Sequence, residues 1–327
     1  MAEEETLDRH LTIEALRASE AAAIAAAKLV GKGDERQADE VAADAMRSAL
    51  NRVAINGKVV IGEGERDEAP MLFIGEKVGN GDGPDVDVAV DPLEGATITA
   101  IGGSNAMSVV AFSESGGLLN APDVYMDKLA VGGGLPAGLI DLDEPPADAV
   151  RAVASARGVE TSDVVACILN RPRHEEIIAK VREAGARIRL IPDGDVAGVI
   201  ATSTPASGID IYLGVGGAPQ GVLAAAALRC VGGQMQARLV FRNEGERGRA
   251  HAIGIDDLNR KYELDDLARG DVIFAATGVT NGNMLDGVRR DGSIATTHSL
   301  AMRSRTGTMR WIRSRRDLTR SPLVDDT

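Results

Sequence analysis

Acidic side chains gather in one stretch of this chain: Glu63 and Glu65 in G-E-G-E, then Asp91 and Glu94 in V-A-V-D-P-L-E-G. Each pair follows a β-prone apolar run, K-V-V-I at 58–61 and V-D-V-A-V at 86–90, which places the carboxylates where strands end and loops begin. Hard oxygen donors at strand ends suit Mg²⁺ or Mn²⁺, which take carboxylate and water in preference to nitrogen or sulfur. Four carboxylates so close cannot all stay ionised without such cations. Two metal ions about 4 Å apart can hold both the attacking and the leaving oxygen of an in-line phosphoryl displacement. The pattern therefore points to a divalent-metal phosphatase. Pro92 cannot continue a central strand ladder, so the chain is expected to turn there, with Asp91 and Glu94 projecting from that turn toward a common point. Gly95 lets a backbone amide approach a bound group.

A second set of polar residues lies at three later strand-to-helix junctions. Arg171-Pro172-Arg173-His174 follows the strand signal at 164–169, Asp193-Gly194-Asp195 follows that at 188–191, and the run from Gly216 through Gly217 to Gly221 follows that at 209–214. Such junctions line the carboxyl edge of a parallel sheet, where α/β proteins bind ligands. Arg171 and Arg173 can make charge-assisted bonds to phosphate, Asp193 and Asp195 can accept from sugar hydroxyls, and the glycines expose amides at a helix start, where an anion is favoured. The four histidines are scattered, and only His174 lies near a motif. A Ser/His/Asp or Cys/His nucleophile is not expected, and His174 reads as a helix-start residue.

The elements that must position these groups follow from periodicity and punctuation. An alanine-rich helix is expected over 11–30, ended by Gly31-Lys32-Gly33, and a second over 37–53. Strands are expected at 58–61, 86–90 and 107–112. Helix signals at 147–156, 174–184, 196–201 and 219–230 alternate with strands at 164–169, 188–191 and 209–214, the βαβ pattern of a largely parallel sheet. The expected organisation is an α/β protein of two lobes, an N-terminal metal-site lobe over 1–155 and a C-terminal sugar-phosphate-binding lobe over 156–327. The arginine-rich tail at 303–320, around Trp311, is expected to be a solvated edge strand or a subunit contact.

Composition narrows the function classes. With 327 residues, 44% of them hydrophobic but only one Trp, three Tyr and four Phe, the core must be packed with Ala, Val, Ile and Leu. A net charge of −13 argues against a nucleic-acid partner, since that affinity rests on Lys and Arg neutralising phosphates. Cys167 and Cys230 have no metal-ligand spacing and read as buried thiols of a reducing compartment. The N-terminus is acidic, and no run of apolar residues is long enough to span a membrane, so a cytoplasmic protein is expected.

Taken in order, G-E-G-E-R-D-E-A-P-M-L at 62–72, V-D-P-L-E-G at 90–95, N-A-P-D-V-Y-M-D-K-L at 120–129, R-P-R-H at 171–174, I-P-D-G-D-V-A at 191–197 and G-G-A-P at 216–219 resemble the class II (GlpX-type) fructose-1,6-bisphosphatases. The resemblance covers nearly the whole chain. It implies the layered αβαβα sandwich of the lithium-sensitive, metal-dependent sugar-phosphate phosphatases, Mn²⁺ or Mg²⁺ as cofactor, and a homo-oligomer, dimer or tetramer. It also implies hydrolysis of the 1-phosphate of fructose 1,6-bisphosphate, with sedoheptulose 1,7-bisphosphate accepted by some members, by metal-activated water and with no covalent intermediate. By this resemblance the metal positions are Asp39, Glu63, Asp91, Glu94 and residue 220. The substrate positions are Glu94, Gly95, Ala96, Tyr125, Arg171, Pro172, Arg173, Asp193, Gly194, Asp195 and Gly217. Two residues depart from the family pattern: Ala96 stands at its threonine, which helps bind metal and orient the attacking water, and Gln220 at its glutamate. Thr97 is one residue out of phase and its side chain is expected to point elsewhere. The catalytic set is thus Glu63, Asp91, Glu94 and the position of Ala96, with slowed turnover expected. A sugar-bisphosphate-binding paralogue without activity and an inositol-phosphate or other sugar-phosphate phosphatase are the competing readings.

Overall fold

A computed structural model of the chain describes residues 7–64 and 71–320. In chain order the helices are α1 (Leu11–Ala26), α2 (Glu35–Leu50), α3 (Ala96–Ile101), α4 (Pro146–Arg157), α5 (Glu175–Glu183), α6 (Asp195–Ala201), α7 (Ala218–Val231), α8 (Glu244–Ala252) and α9 (Leu264–Leu267). The strands are β1 (Asn56–Ile61), β2 (Lys77–Val78), β3 (Asp85–Glu94), β4 (Met107–Glu114), β5 (Tyr125–Val131), β6 (Val165–Leu169) and β7 (Arg187–Ile191), then β8 (Ile211–Gly217), β9 (Gln234–Val240), β10 (Lys261–Glu263), β11 (Val272–Gly278), β12 (Arg289–Asp291), β13 (Ile294–Arg303) and β14 (Thr308–Asp317).

Two compact units result, Met1–Leu118 together with Gly270–Thr327, and Leu119–Arg269. Each is a sheet with helices packed on it, an α/β layering. In the first unit the sheet order is β12-β13-β11-β4-β3-β1-β2, with β14 added to β13. Only β1 and β3 run parallel; the other pairings are antiparallel. Helix α1 lies on β11, β4 and β13 and against α2. Its buried Ala15, Ala18, Ala22, Ala23 and Ala26 let the backbones come close over a core of Val88, Val90, Val110, Phe112 and Ile273. Gly31, at φ +73°, supplies the left-handed residue that ends the helical segment as the glycine signal predicts.

In the second unit the sheet order is β10-β9-β5-β8-β6-β7. Strands β6, β7 and β8 are parallel, as the alternation predicts. The expectation of a largely parallel sheet fails for the rest, because β5 pairs antiparallel with both β8 and β9, and β10 antiparallel with β9. The β8–α7–β9 crossover keeps β8 and β9 running the same way, and β5 fills the space between them. The core here is Val150, Val153, Ala166, Ile168, Val181 and Ile211.

The division expected between residues 155 and 156 falls within the last turn of α4, inside the second unit. Instead the chain leaves the first sheet after β4 and returns to it at β11, which pairs with β4 over Val272↔Ser113 to Gly278↔Met107. The arginine-rich tail is an edge strand, as expected: β14 pairs with β13 and leaves Trp311 48% exposed.

Buried hydroxyls tie α1 to the first sheet. Ser19 Oγ donates to the Leu16 carbonyl at 2.9 Å and shares hydrogen bonds with Thr277 Oγ1 at 2.8 Å, which in turn meets Ser299 Oγ at 2.9 Å. Thr277→Val keeps the shape but leaves two buried hydroxyls short of a partner. It is expected to destabilise the protein by about 1–3 kcal/mol, read as a lowered denaturation midpoint in urea; an unchanged midpoint would contradict this linkage.

Candidate functional site

Within the first unit, β1 and β3 carry the acidic residues to one end of the sheet. Their parallel pairing ends at Ile61↔Ala89, and just beyond it Glu63 lies near enough to Asp91 to feel its charge. Gly62 is needed for this course: a Cβ there would overlap the Leu72 carbonyl oxygen, and Glu63 N–H donates to that same carbonyl at 3.0 Å. The expected turn at Pro92 is not formed. Strand β3 continues through Pro92 to Glu94, and the proline is accommodated by an irregularity in its register with β4 between Asp91 and Glu94. A bulge lets proline keep its place in a sheet, since no ladder donor is required of it there. The chain turns at Gly95, whose φ of +96° is a left-handed conformation suited to glycine, and α3 begins at Ala96. Thr97 points away, donating to Glu35 Oε2 at 3.1 Å as its register implies.

The carboxyls of Asp39, on α2, and Glu63 are hydrogen-bonded to each other. Burial, reinforced by the charges of Asp39 and Asp91, pushes the Glu63 carboxyl well above the usual carboxylate range; burial also raises Asp39. The Glu63 carboxyl thus sits in a place already made negative by Asp39 and Asp91. Glu94, 4% exposed, ends the same strand as Asp91. Among the described residues no group of three or more His, Cys, Asp or Glu side chains is placed to hold a metal ion. The donor chemistry of Asp39 and Glu63, two facing carboxyls beside Asp91, nonetheless suits a hard divalent cation. Glu65 lies outside the described residues.

The second unit brings together the other predicted residues at the ends of its strands. Arg173 donates through Nε and Nη2 to the Val215 carbonyl, at 3.0 and 2.7 Å, and its guanidinium lies 4.8 Å from the centre of the Tyr125 ring. Arg171 approaches Asp193 at 3.9 Å, and Pro172 opens the short turn that carries both arginines. Asp195 is 6% exposed and its Oδ2 accepts from Lys128 Nζ, while Gly194 takes the left-handed conformation before it. Gln220 sits in the first turn of α7 with its Oε1 over Gly217.

His174 is a clamp. Its ring is fully buried, with Nδ1 2.7 Å from the Leu169 carbonyl and Nε2 accepting from Val215 N–H at 2.8 Å. Both bonds require the neutral ring protonated on Nδ1, and burial lowers the pKa accordingly. The two cysteines are buried, and burial pushes the Cys167 thiol up to about 12, so it offers no nucleophile.

Comparison with known proteins decides the family. The model of the bacterial fructose-1,6-bisphosphatase, glpX-encoded, matches residues 9–316. The chain is 48% identical over 320 residues to fructose-1,6-bisphosphatase 1 class 2 of Escherichia coli strain K12, covering 94% of this chain and 95% of that protein. The fructose-1,6-bisphosphatase class 2 proteins of E. coli O6:H1 and Shigella flexneri match to the same extent. The chain belongs to the GlpX-type class II fructose-1,6-bisphosphatase family.

Membership makes the protein a metal-dependent phosphatase acting on a sugar bisphosphate. No helix among the described residues is long and apolar enough to cross a membrane. Two residues beside the predicted set escaped the sequence reading. Arg242 places its guanidinium 4.7 Å from the Tyr125 ring centre, so that with Arg173 the phenol has two cationic neighbours. Lys128 is 1% exposed. A lysine inside the apolar run L-A-V and its preceding Y-M-D was a visible signal, since buried lysines are rare unless paired.

Metal binding requires ionised carboxylates, so Mn²⁺ affinity is expected to rise with pH through the raised Glu63 value. Calorimetry at about pH 6, where an ordinary glutamate is already ionised, should show proton release as buffer-dependent heat; heat independent of the buffer would contradict the raised Glu63 carboxyl. The neutral His174 stabilises the fold fully above its unfolded pKa of about 6.5. Stability is expected to fall as pH drops from there toward the lowered folded value, and less steeply in His174→Gln, by thermal unfolding; equal slopes would contradict the clamp.

Proposed function

We propose that this protein hydrolyses the 1-phosphate of fructose 1,6-bisphosphate, with sedoheptulose 1,7-bisphosphate as a second substrate, using Mn²⁺ or Mg²⁺, and that it works in the cytoplasm as a homo-oligomer. The observation that carries the reading is the buried Asp39–Glu63 pair beside Asp91, in a chain that matches the class II family from residue 9 to residue 316. Asp39, Glu63, Asp91 and Glu94 would hold the cation. A divalent ion so held acidifies a water and offsets charge on the transferring phosphoryl group.

The chain's own residues do the rest. Arg171 and Arg173, with Gly217, bind the substrate through its phosphate and hydroxyls, alongside Pro172, Gly194 and the carboxylates of Asp193 and Asp195. Tyr125 would meet the sugar through its phenol, with the guanidinium groups of Arg173 and Arg242 both over its ring. Gly95 and Glu94 present the turn against which the reacting phosphate is oriented. Ala96 provides no hydroxyl to align the attacking water, and positioning of that kind is felt mainly in the transition state. Gln220 lacks the negative charge that would strengthen a cation site.

Phosphate release from fructose 1,6-bisphosphate is expected to be slow in this chain and to require a divalent cation, Mn²⁺ or Mg²⁺. The double change Ala96→Thr with Gln220→Glu should raise it on the order of 10²-fold, and adding Glu94→Gln should remove the gain. No Mn²⁺-dependent release from the double variant would overturn the proposal.

A further inference from the structure

The second unit contains a buried ion pair that the reaction as proposed does not use. Lys128 lies in the middle of β5, paired across the sheet with Gly214 of β8 and Ala237 of β9. At 1% exposure its ammonium donates to Asp195 Oδ2, itself on a residue 6% exposed, and to the Gly217 carbonyl at 2.9 Å. One cation thereby joins the junction that opens α6 to the junction that opens α7.

The surrounding backbone is built to admit it. A Cβ at Gly216 would overlap Asp195 Oδ2 and press on Lys128 Nζ, and one at Gly221 would overlap Met126 Sδ and come within 3.3 Å of Lys128 Cδ. Two glycines thus clear space for the head and the stem of one side chain. The pair is a poor source of stability, because taking both charges out of water costs as much as their attraction returns, and an apolar pair of equal volume is commonly as stable. What such a pair does supply is a fixed geometry. Asp195 and Gly217 are both substrate positions in the proposed reading, and neither has freedom to move while Lys128 holds it.

We infer that Lys128 is a positioning residue for the sugar-phosphate site, acting through Asp195 and the Gly217 carbonyl. The inference rests on the proposed function. It assigns to Asp195 a carboxylate already committed to a buried cation and leaves Asp193, whose side chain is 40% exposed, as the carboxylate of that motif more open to a ligand.

A double-mutant cycle tests this with fructose 1,6-bisphosphate as the titrant in Mn²⁺, using the full chain. Lys128→Met leaves Asp195 unpaired and is expected to weaken sugar-bisphosphate binding about 10-fold or more. Mn²⁺ affinity, measured separately by electron paramagnetic resonance, should remain within about twofold, since the first unit supplies its carboxylates. Asp195→Asn should weaken sugar binding as well, and the Lys128→Met/Asp195→Asn double variant should be no weaker than Asp195→Asn alone. Additive effects, or Lys128→Met binding as tightly as the unaltered protein, would overturn the inference. A parallel loss of Mn²⁺ and sugar affinity would also overturn it, as that marks general unfolding. Should Lys128→Met not fold, Lys128→Gln, which removes the ammonium charge, enters the cycle in its place with a smaller loss expected, and additive effects there would likewise overturn the inference. Failure of the unaltered protein to bind the bisphosphate would defeat the functional reading itself, whereas binding with additive losses would defeat this inference alone.

Discussion

Negative charge that the fold brings together and cannot neutralise by itself governs the first unit. The parallel pairing of β1 with β3 brings Glu63 near Asp91, α2 adds Asp39, and burial makes water a poor remedy. Burial, with the charges of Asp39 and Asp91, raises the Glu63 carboxyl well above the usual carboxylate range and so favours its neutral form. A proton is an inferior counter-ion for several carboxylates, because it can satisfy one pair only, while a divalent cation can satisfy all of them. The antiparallel remainder of the sheet, with α1 laid over it on an alanine face, serves to keep those strand ends in register.

The second unit handles charge in the opposite way, by matching it internally. Lys128 answers Asp195, Arg157 answers Asp210, and Arg242 answers the buried Glu246. His174 completes the pattern without any charge, since its neutral ring joins the Leu169 carbonyl to the Val215 amide. Junctions fixed in this manner present arginines and glycine amides at settled places, which is what recognition of a phosphorylated sugar needs: ligand binding then spends little on ordering the site.

Much of this was legible before any coordinates. Periodicity and glycine punctuation located α1, α2, α4, α5 and α7 and strands β1, β3, β4, β6, β7 and β8, mostly to within a few residues at each end. Local chemistry could not foresee the return of the chain to the first sheet at β11, because strand partners 159 to 171 residues apart leave no local mark. Nor could it foresee β5 wedged antiparallel between β8 and β9. Pro92 misled for a definite reason: proline forbids a ladder donor, and a bulge removes the need for one without a turn. At the site, Glu63, Asp91 and Glu94 were readable from their strand-end motifs, whereas Asp39 looked like any aspartate in the first half of a helix and came only through the family resemblance. Lys128 and Arg242 were hidden because their partners are distant in sequence, although a lysine within a buried strand was a usable clue.

Family membership accounts for acidic strand ends and basic junctions occurring in one chain. Ala96 opens α3 and Gln220 lies in the first turn of α7. The central claim, that the buried acids of the first unit are a cation site, is tested most directly by anomalous diffraction at the manganese edge from crystals of this protein grown with Mn²⁺. The account requires an anomalous peak within coordination distance of Glu63 and Asp91, with Asp39 or Glu94 completing the shell; manganese bound only elsewhere, with Glu63 still hydrogen-bonded to Asp39, would contradict it.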